Sequence, residues 1–268
     1  RTDRPKQPQQ KITGELQAVS VDSALDQAIA HLKGKKILGI GSPRASLETN
    51  FALRELVGIN QFSTGMTRQD QALVEKAATI LQTEGIYTPT LREIESYDAV
   101  LILGEDITQT AARVALSVRQ AAKNEALSMA EARRTQPWLA EPVKRIGQNV
   151  NSPVFILSVN ETRLSDIAEG ECVATPNDIA RLGFAVAAAL VGQSVQGMAA
   201  EAVEFAKQIA ERLKAAKKPL IISGTSLQDP ALLEAAAQIA QNLGAMAGLT
   251  LVVPEVNSMG SVLLGGLA

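Results

Sequence analysis

The residue types that most often carry out chemistry are scarce in this sequence. Its 268 residues include one cysteine, Cys172, one histidine, His31, and one tryptophan, Trp138. A zinc site of Cys/His type, a four-cysteine iron–sulfur cluster and a disulfide framework all need more thiols or imidazoles than this. The acidic neighbours Glu169 and Glu171 are expected to raise the pKa of the Cys172 thiol. We therefore expect no reactive thiolate at this position.

The other two rare residues have structural interpretations. His31 lies near the end of a predicted helix, where a cation is favoured by the helix dipole. Trp138 lies in the least regular stretch, Arg133–Asn151, which we predict to be a loop with short helical pieces. We expect Trp138 to serve packing rather than function.

Small or polar residues follow four predicted strands and could line a ligand pocket. In an open α/β sheet the carboxyl ends of the strands form the crevice in which ligands bind. The alternative is that the glycines only permit tight turns. The pocket candidates are Gly41, Ser42, Gly104, Gly224, Thr225, Asn257 and Gly260.

The first of these turns and the acidic pair after the second strand each leave two interpretations open. The run Gly39-Ile-Gly41 has Arg44 where a third glycine would stand, so a dinucleotide-binding fingerprint is weak and a plain strand-to-helix turn remains possible. Glu105 and Asp106 could chelate Mg²⁺ beside a phosphate, or they could be charges favoured at a helix N-terminus.

Short apolar runs alternate with longer amphipathic ones, which predicts an α/β fold. We expect Rossmann-like, mostly parallel sheets flanked by helices. The predicted strands are Lys36–Ile40, Ala99–Leu103, Val154–Val159, Leu220–Ser223 and Leu249–Val253. The predicted helices include Val21–Leu32, Asp70–Thr83, Thr108–Lys123, Ala199–Ala216 and Ala231–Leu243, and another that begins at Thr175-Pro176.

Composition excludes several classes of protein. Hydrophobic residues make up 46% and charged residues 20%, which is ordinary for a folded globular chain. A net charge of −2 gives no footprint for nucleic acid, and the apolar run Phe184–Val191 is shorter than the roughly 20 residues of a membrane span. The polar residues 1–19 are predicted to be a cut end of a longer protein. One thiol and no secretory segment favour the cytoplasm.

The runs Val19–Leu25 (VSVDSAL) and Gly41–Leu53 (GSPRASLETNFAL) resemble the molybdopterin oxidoreductase family. Within it, longer runs resemble the G subunits of bacterial NADH–quinone oxidoreductase, respiratory complex I. Those longer runs are Gly41–Gly58, Gly85–Thr110 and Lys218–Thr225, together with Asn257–Gly260.

The resemblance implies a place in an electron-transfer complex. It implies iron–sulfur clusters in upstream domains, other complex I peripheral-arm subunits as partners, and a position at the inner face of the cell membrane without insertion or nucleic-acid binding. It also implies a two-lobed architecture. We predict a first lobe from residues 20–62, an inserted second lobe from 63–194, and a return to the first lobe over 195–268.

The same resemblance suggests that this segment has no cofactor of its own. Molybdenum members carry a Cys, selenocysteine or Ser ligand after the Asn-containing helix; here Ile59–Arg68 has no Cys, and Ser63 alone could serve. Gly104-Glu-Asp departs from the family's Gly-x-Asn-Pro pattern, and two carboxylates would repel a pterin's phosphates. We expect a catalytically silent structural domain. The alternatives are an active oxidoreductase domain that binds a pterin or nucleotide in the crevice, and a thiamine-diphosphate or NAD-binding domain whose phosphate motifs are missing.

Overall fold

The structure is a computed structural model that describes residues 6–193, 195 and 197–267. It confirms the predicted α/β fold, with parallel strands flanked by helices. The strands are β1 (Gln9–Ile12), β2 (Glu15–Ala18), β3 (Gly39–Ile40), β4 (Phe62–Ser63), β5 (Ala99–Leu103), β6 (Val154–Ser158), β7 (Gly170–Val173), β8 (Pro219–Gly224) and β9 (Gly248–Val252). The helices are α1 (Val21–Leu32), α2 (Leu47–Val57), α3 (Arg68–Leu81), α4 (Leu91–Ile94), α5 (Ile107–Thr110), α6 (Ala112–Ala121), α7 (Asn124–Ala132), α8 (Ala140–Gly147), α9 (Pro176–Leu190), α10 (Ala200–Ala215), α11 (Pro230–Leu243) and α12 (Ser258–Leu264).

A five-stranded parallel sheet forms the centre of the molecule, in the order β7-β6-β5-β8-β9. Every residue of β5, β6 and β8 is buried. Parallel strands are covered by helices on both faces, which explains why these strands are continuous apolar runs instead of alternating ones.

The two faces of the sheet carry separate hydrophobic cores. Leu101 and Leu103 of β5 point to the core formed with α9, α10 and α11, whereas Val100 and Ile102 point to the core formed with α4 and α6. Successive side chains of a strand project to opposite faces, so one strand anchors both layers.

The prediction of the first strand is largely wrong. Of Lys36–Ile40 only Gly39–Ile40 is a strand, and it pairs in parallel with β4 instead of joining the central sheet. Leu38 and Ile40 are exposed. The apolar run predicted burial on both faces, but the described part of the chain supplies a pairing partner on one side only.

The predicted boundary between the second lobe and the return segment does not divide the sheet. β5 belongs to the predicted inserted lobe and β8 to the return segment, yet they pair along their length, with Leu101 opposite Ile221. Both strands are apolar and buried on both faces, so each needs the other as a neighbour. Residue 194, where the predicted lobe ends, lies outside the described residues.

The predicted polar end, residues 1–19, contains a β-hairpin that the sequence did not signal. β1 and β2 pair antiparallel around Thr13 and Gly14, both of which have positive φ, as a tight hairpin turn requires. All four β2 residues are exposed, so this strand packs no side chain into the core. Residues 1–5 lie outside the described part.

Candidate functional site

The crevice of the central sheet lies between β5 and β8. The chain adds β6 and β7 on one side of β5, and β8 and β9 on the other. The connection that leaves β5 and the connection that leaves β8 therefore run to opposite sides of the sheet. Ligands bind at such a point in open α/β sheets. Gly104, Gly224 and Thr225 stand at these two strand ends, as predicted.

Glu105 closes this crevice from inside. Its residue surface is 1% exposed. The carboxylate accepts a hydrogen bond from the Thr110 hydroxyl at 2.7 Å, another from the Ser226 hydroxyl, and a longer one from the Ser226 backbone N–H at 3.4 Å. A Cβ on Gly224 would lie 2.2 Å from Glu105 Oε2. The glycine is therefore needed because the carboxylate occupies the space above it.

Several other polar groups at this edge are also engaged by the protein. The Thr225 N–H donates to the Val252 carbonyl at 3.1 Å, and the Ser223 hydroxyl donates to the Leu103 carbonyl at 2.8 Å. Asp106 caps α5, where its carboxylate accepts from the Thr108 N–H at 3.0 Å. The helix-charge interpretation therefore holds for Asp106, whereas Glu105 has a different role.

The space left at this edge is a cavity of about 110 Å³. Ligand pockets for drug-sized molecules are usually about 300–1,000 Å³. The cavity can hold a few water molecules but not a pterin or a nucleotide. Its lining residues are Gly104, Glu105, Asp106, Thr110, Ser158, Val159, Asn160, Ser226 and Leu227.

The other four candidates lie around the loop that follows β3. Asn50 of α2 is buried and forms two hydrogen bonds with this loop. Its Oδ1 accepts from the Ser42 N–H at 2.9 Å, and its Nδ2 donates to the Ser42 carbonyl at 2.9 Å. A Cβ on Gly41 would lie 2.5 Å from Asn50 Oδ1. Gly41 therefore lets the amide approach the backbone.

Asn257 and Gly260 join α12 to the same loop. Asn257 donates from its backbone to the Pro43 carbonyl at 2.9 Å and from its side chain to the Ala45 carbonyl at 3.0 Å. A Cβ on Gly260 would lie 2.3 Å from Asn257 Oδ1. Among the described residues, no hydrogen bond joins this group directly to the group around Glu105, so the seven candidates form two clusters.

Other residues singled out from the sequence have modest roles. The Ser63 hydroxyl accepts from the Gly65 N–H at 3.2 Å within its own turn. Burial, with a smaller effect of Asp178, raises the pKa of the Cys172 thiol, so the expected direction is confirmed but the cause is different. His31 lies in the last turn of α1, as predicted. Trp138 is 74% exposed, so the packing prediction for it is wrong.

Sequence reasoning missed the residues that engage the candidates. The sequence marks Asn50 only as part of a motif. Nothing in the sequence indicates that Ser226 and Thr110 form hydrogen bonds with Glu105. Ser226 is 121 residues from Glu105, and only the pairing of β5 with β8 brings them together. In the part of the chain that the structure describes, no group of three or more His, Cys, Asp or Glu residues could hold a metal ion.

Fold and sequence together define the class of this protein. The sequence profile of the molybdopterin oxidoreductase family matches residues 4–262, and the chain belongs to that family. The chain is 53% identical over 272 residues to the G subunit of NADH-quinone oxidoreductase from Pseudomonas putida, and 47% identical over 270 residues to the G subunit from Escherichia coli K12. These matches cover 99% and 98% of this chain. The predicted resemblance is therefore confirmed.

The chain spans about 30% of the length of these curated relatives. Among solved structures, the formyltransferase/hydrolase complex from Methylorubrum extorquens has a TM-score of 0.49 at 17% identity, over 88% of this chain and 58% of that one.

Proposed function

We propose that this chain is a part of the G subunit of a bacterial NADH–quinone oxidoreductase, and that it serves there as a structural domain with no cofactor of its own. The observation that carries the second statement is the buried Glu105 carboxylate at the switch point of the sheet. The identity to G subunits of this enzyme over nearly the whole chain supports the first.

The family's name points to a molybdopterin cofactor, and the residues present do not suit one. A cofactor of this kind carries phosphates, which bind at strand ends through backbone N–H groups and cationic or hydroxyl donors. Here the donors of Ser226 and Thr110 already serve the Glu105 carboxylate. A phosphate would have to displace this anion or lie beside it, and like charges repel strongly in a buried site.

The second cluster supports the same proposal. Asn50 uses both ends of its amide on the loop after β3, so the Gly41–Ser42 turn is bonded to the protein. Ser63 is the one residue in Ile59–Arg68 of the Cys or Ser type that ligates the metal in molybdenum members, and its hydroxyl accepts a hydrogen bond from the Gly65 N–H. We propose that the seven pocket candidates are remnants of a ligand-binding region. The chain now fills that region with its own side chains.

The proposal also gives the chain its partners and place. Other peripheral-arm subunits of complex I would pack against it, and iron–sulfur clusters would belong to other parts of the longer polypeptide, since one cysteine cannot hold a four-cysteine cluster. Among the described residues no helix has the length and apolar character to cross a membrane. A peripheral position at the cytoplasmic face of the membrane is compatible with that finding.

The test is the cofactor content of the natural complex and of the purified chain. We expect molybdenum and tungsten, measured by mass spectrometry, to stay at the level of the buffer blank. We also expect no fluorescent pterin after denaturation and oxidation. A molybdenum-loaded oxidoreductase of the same family is the positive control. One molybdenum, tungsten or pterin per chain would instead support the active oxidoreductase domain.

A further inference from the structure

The single tryptophan of this sequence lies exposed at the tip of a helical hairpin. α7 and α8 pack antiparallel, because a Cβ on Gly147, the last residue of α8, would lie 2.6 Å from the Ala126 Cβ near the start of α7. The connection between them, residues 133–139, therefore forms the tip. Trp138 is 74% exposed there, and the adjacent Leu139 is 44% exposed. A large aromatic side chain can bury about 150–250 Å², and the chain's own packing uses little of this area.

Cationic side chains without a partner accompany this tryptophan. Glu131 and Glu141 are the only acidic residues between positions 131 and 145, in a chain whose net charge is −2. In the part of the chain that the structure describes, the ion pairs include neither these two carboxylates nor the four cations of the same stretch. The hairpin therefore presents an excess of positive charge to its surroundings. Its four exposed cations are Arg133, Arg134, Lys144 and Arg145.

The turn at the tip forms a groove beside these cations. Arg134 has a φ of 56°, in the left-handed region that a residue with a side chain adopts only at an energetic cost. The Thr135 N–H donates to the Ala130 carbonyl at 2.9 Å, so the chain reverses direction directly after α7. The groove has a volume of about 330 Å³, three times that of the cavity at Glu105, and can accept a side chain of another molecule. Its lining residues are Leu127, Glu131, Arg134, Thr135, Gln136 and Pro137.

The chemistry of this hairpin favours an acidic protein segment over an anionic membrane. α8 buries Val143 and Gly147, and Gly147 packs on α7, so the apolar side of this helix is turned inward. A helix that lies on a membrane needs that side to face the lipid. Guanidinium groups match carboxylates with paired, parallel hydrogen bonds, and tryptophan and arginine are enriched where protein interfaces have most of their binding energy. Trp138 among unpaired cations is therefore typical of a protein-binding surface.

We propose that the tip of the α7–α8 hairpin binds a carboxylate-rich segment of another protein, with Trp138 as the apolar anchor. The carboxylates of that segment pair with Arg133, Arg134 and Lys144, and one of its side chains enters the groove. This inference rests on the proposed function only for the identity of the partner, which would be another subunit of the same enzyme.

The first test is zero-length cross-linking of the natural polypeptide, isolated with its bound proteins at low ionic strength. Low salt is needed because salt screens exposed charges. A carbodiimide joins a lysine amine directly to a carboxylate in contact with it. We expect mass spectrometry to find Lys144 joined to an Asp or Glu in a carboxylate-rich segment of another protein. A Lys144 that is joined to no other protein would overturn the proposal.

The second test measures binding of a synthetic peptide with the sequence of the joined segment. The peptide is titrated by calorimetry against the natural polypeptide and two variants of it, Trp138→Ala and the double variant Arg133→Gln with Arg134→Gln. We expect both variants to raise the Kd about tenfold or more, as the loss of central tryptophan or arginine contacts does. All three side chains are exposed, so the urea midpoints should stay unchanged.

The matched control is the double variant Arg68→Gln with Arg92→Gln. It removes the same charge from exposed positions outside the hairpin and should leave the Kd unchanged. An equal loss of affinity in the control would mean that only overall charge attracts the peptide, which would contradict a specific surface.

The remaining outcomes would also overturn the proposal. Lys144 joined to a carboxylate of a second copy, with a dimeric mass by light scattering, would assign the surface to self-association. Binding to phosphatidylglycerol vesicles that Trp138→Ala abolishes, with no protein joined to Lys144, would assign it to lipid. A joined protein from outside NADH–quinone oxidoreductase would contradict the proposed function but not this inference. Cofactor content affects none of these results, so the two proposals fail separately.

Discussion

Glu105 is an acidic side chain held where an external anion would otherwise be expected. Its hydrogen-bond donors come from Thr110 and Ser226, which follow two different strands, so the carboxylate joins the turn after β5 to the turn after β8. A buried acceptor that satisfies several donors stabilises the native state, and its removal leaves those donors without partners. The residue therefore both excludes a ligand and ties the sheet together.

Replacement of this carboxylate should lower the stability of the folded chain. We expect Glu105→Ala to reduce the free energy of unfolding by about 1–3 kcal/mol, because the donors of Thr110 and Ser226 lose their acceptor. Urea unfolding followed by circular dichroism measures the change. Glu84→Ala is the matched control, since Glu84 is exposed, and it should leave the midpoint nearly unchanged. Equal midpoints for the two variants would show that Glu105 contributes nothing to stability.

The helices differ in how clearly the sequence marks them. α9 begins with Thr175 as N-cap, whose hydroxyl accepts from the Asp178 N–H at 3.3 Å, and Pro176 follows in the first turn. Both residues were visible in the sequence because capping depends on local chemistry alone. β3 could not be predicted correctly in the same way, because its length depends on which strands lie beside it.

The cap of α9 should be measurable in the stability of the molecule, since this helix packs against both α10 and α11 in one core. We expect Thr175→Ala to cost about 0.5–2 kcal/mol, and Thr175→Ser, which keeps a hydroxyl acceptor, to cost much less. Thermal and urea unfolding of the two variants test this. A loss as large for serine as for alanine would mean that the threonine methyl group, and not the cap, is what matters.

The candidate site was predictable in its parts but not in its assembly. The strand ends Gly104 and Gly224 were found because small residues after apolar runs mark turns at the carboxyl edge of a sheet. That Glu105 fills the space above Gly224 depends on β5 lying next to β8, and this pairing joins residues about 120 positions apart. The hydrogen bonds that Asn50 makes to the loop after β3 also depend on tertiary structure, because α2 must pack against that loop.

At the scale of the whole molecule, the central sheet joins β5, which lies in the predicted inserted lobe, to β8, which lies in the predicted return segment. A protease site inserted between α9 and α10, after Gln193, would cut the chain into two pieces. One piece contains β5 and the other contains β8. We expect the pieces to elute together in native size-exclusion chromatography and to separate only in denaturant. Buried parallel pairing and the common core of α9, α10 and α11 should hold them. Separation in native buffer would show that the pairing of β5 with β8 and this core do not hold the two pieces together.

The pairing of β5 with β8 also affects how the chain folds during translation. Ser223 binds the carbonyl of Leu103 across 120 residues of sequence, so β5 must wait for those residues to be translated before its second neighbour exists. At about 5–20 residues per second this interval is roughly 6–24 s. During it, one edge of a wholly apolar strand stays unpaired in the nascent chain. Translation speed and chaperone access in that window should therefore influence how much of the protein reaches its native state.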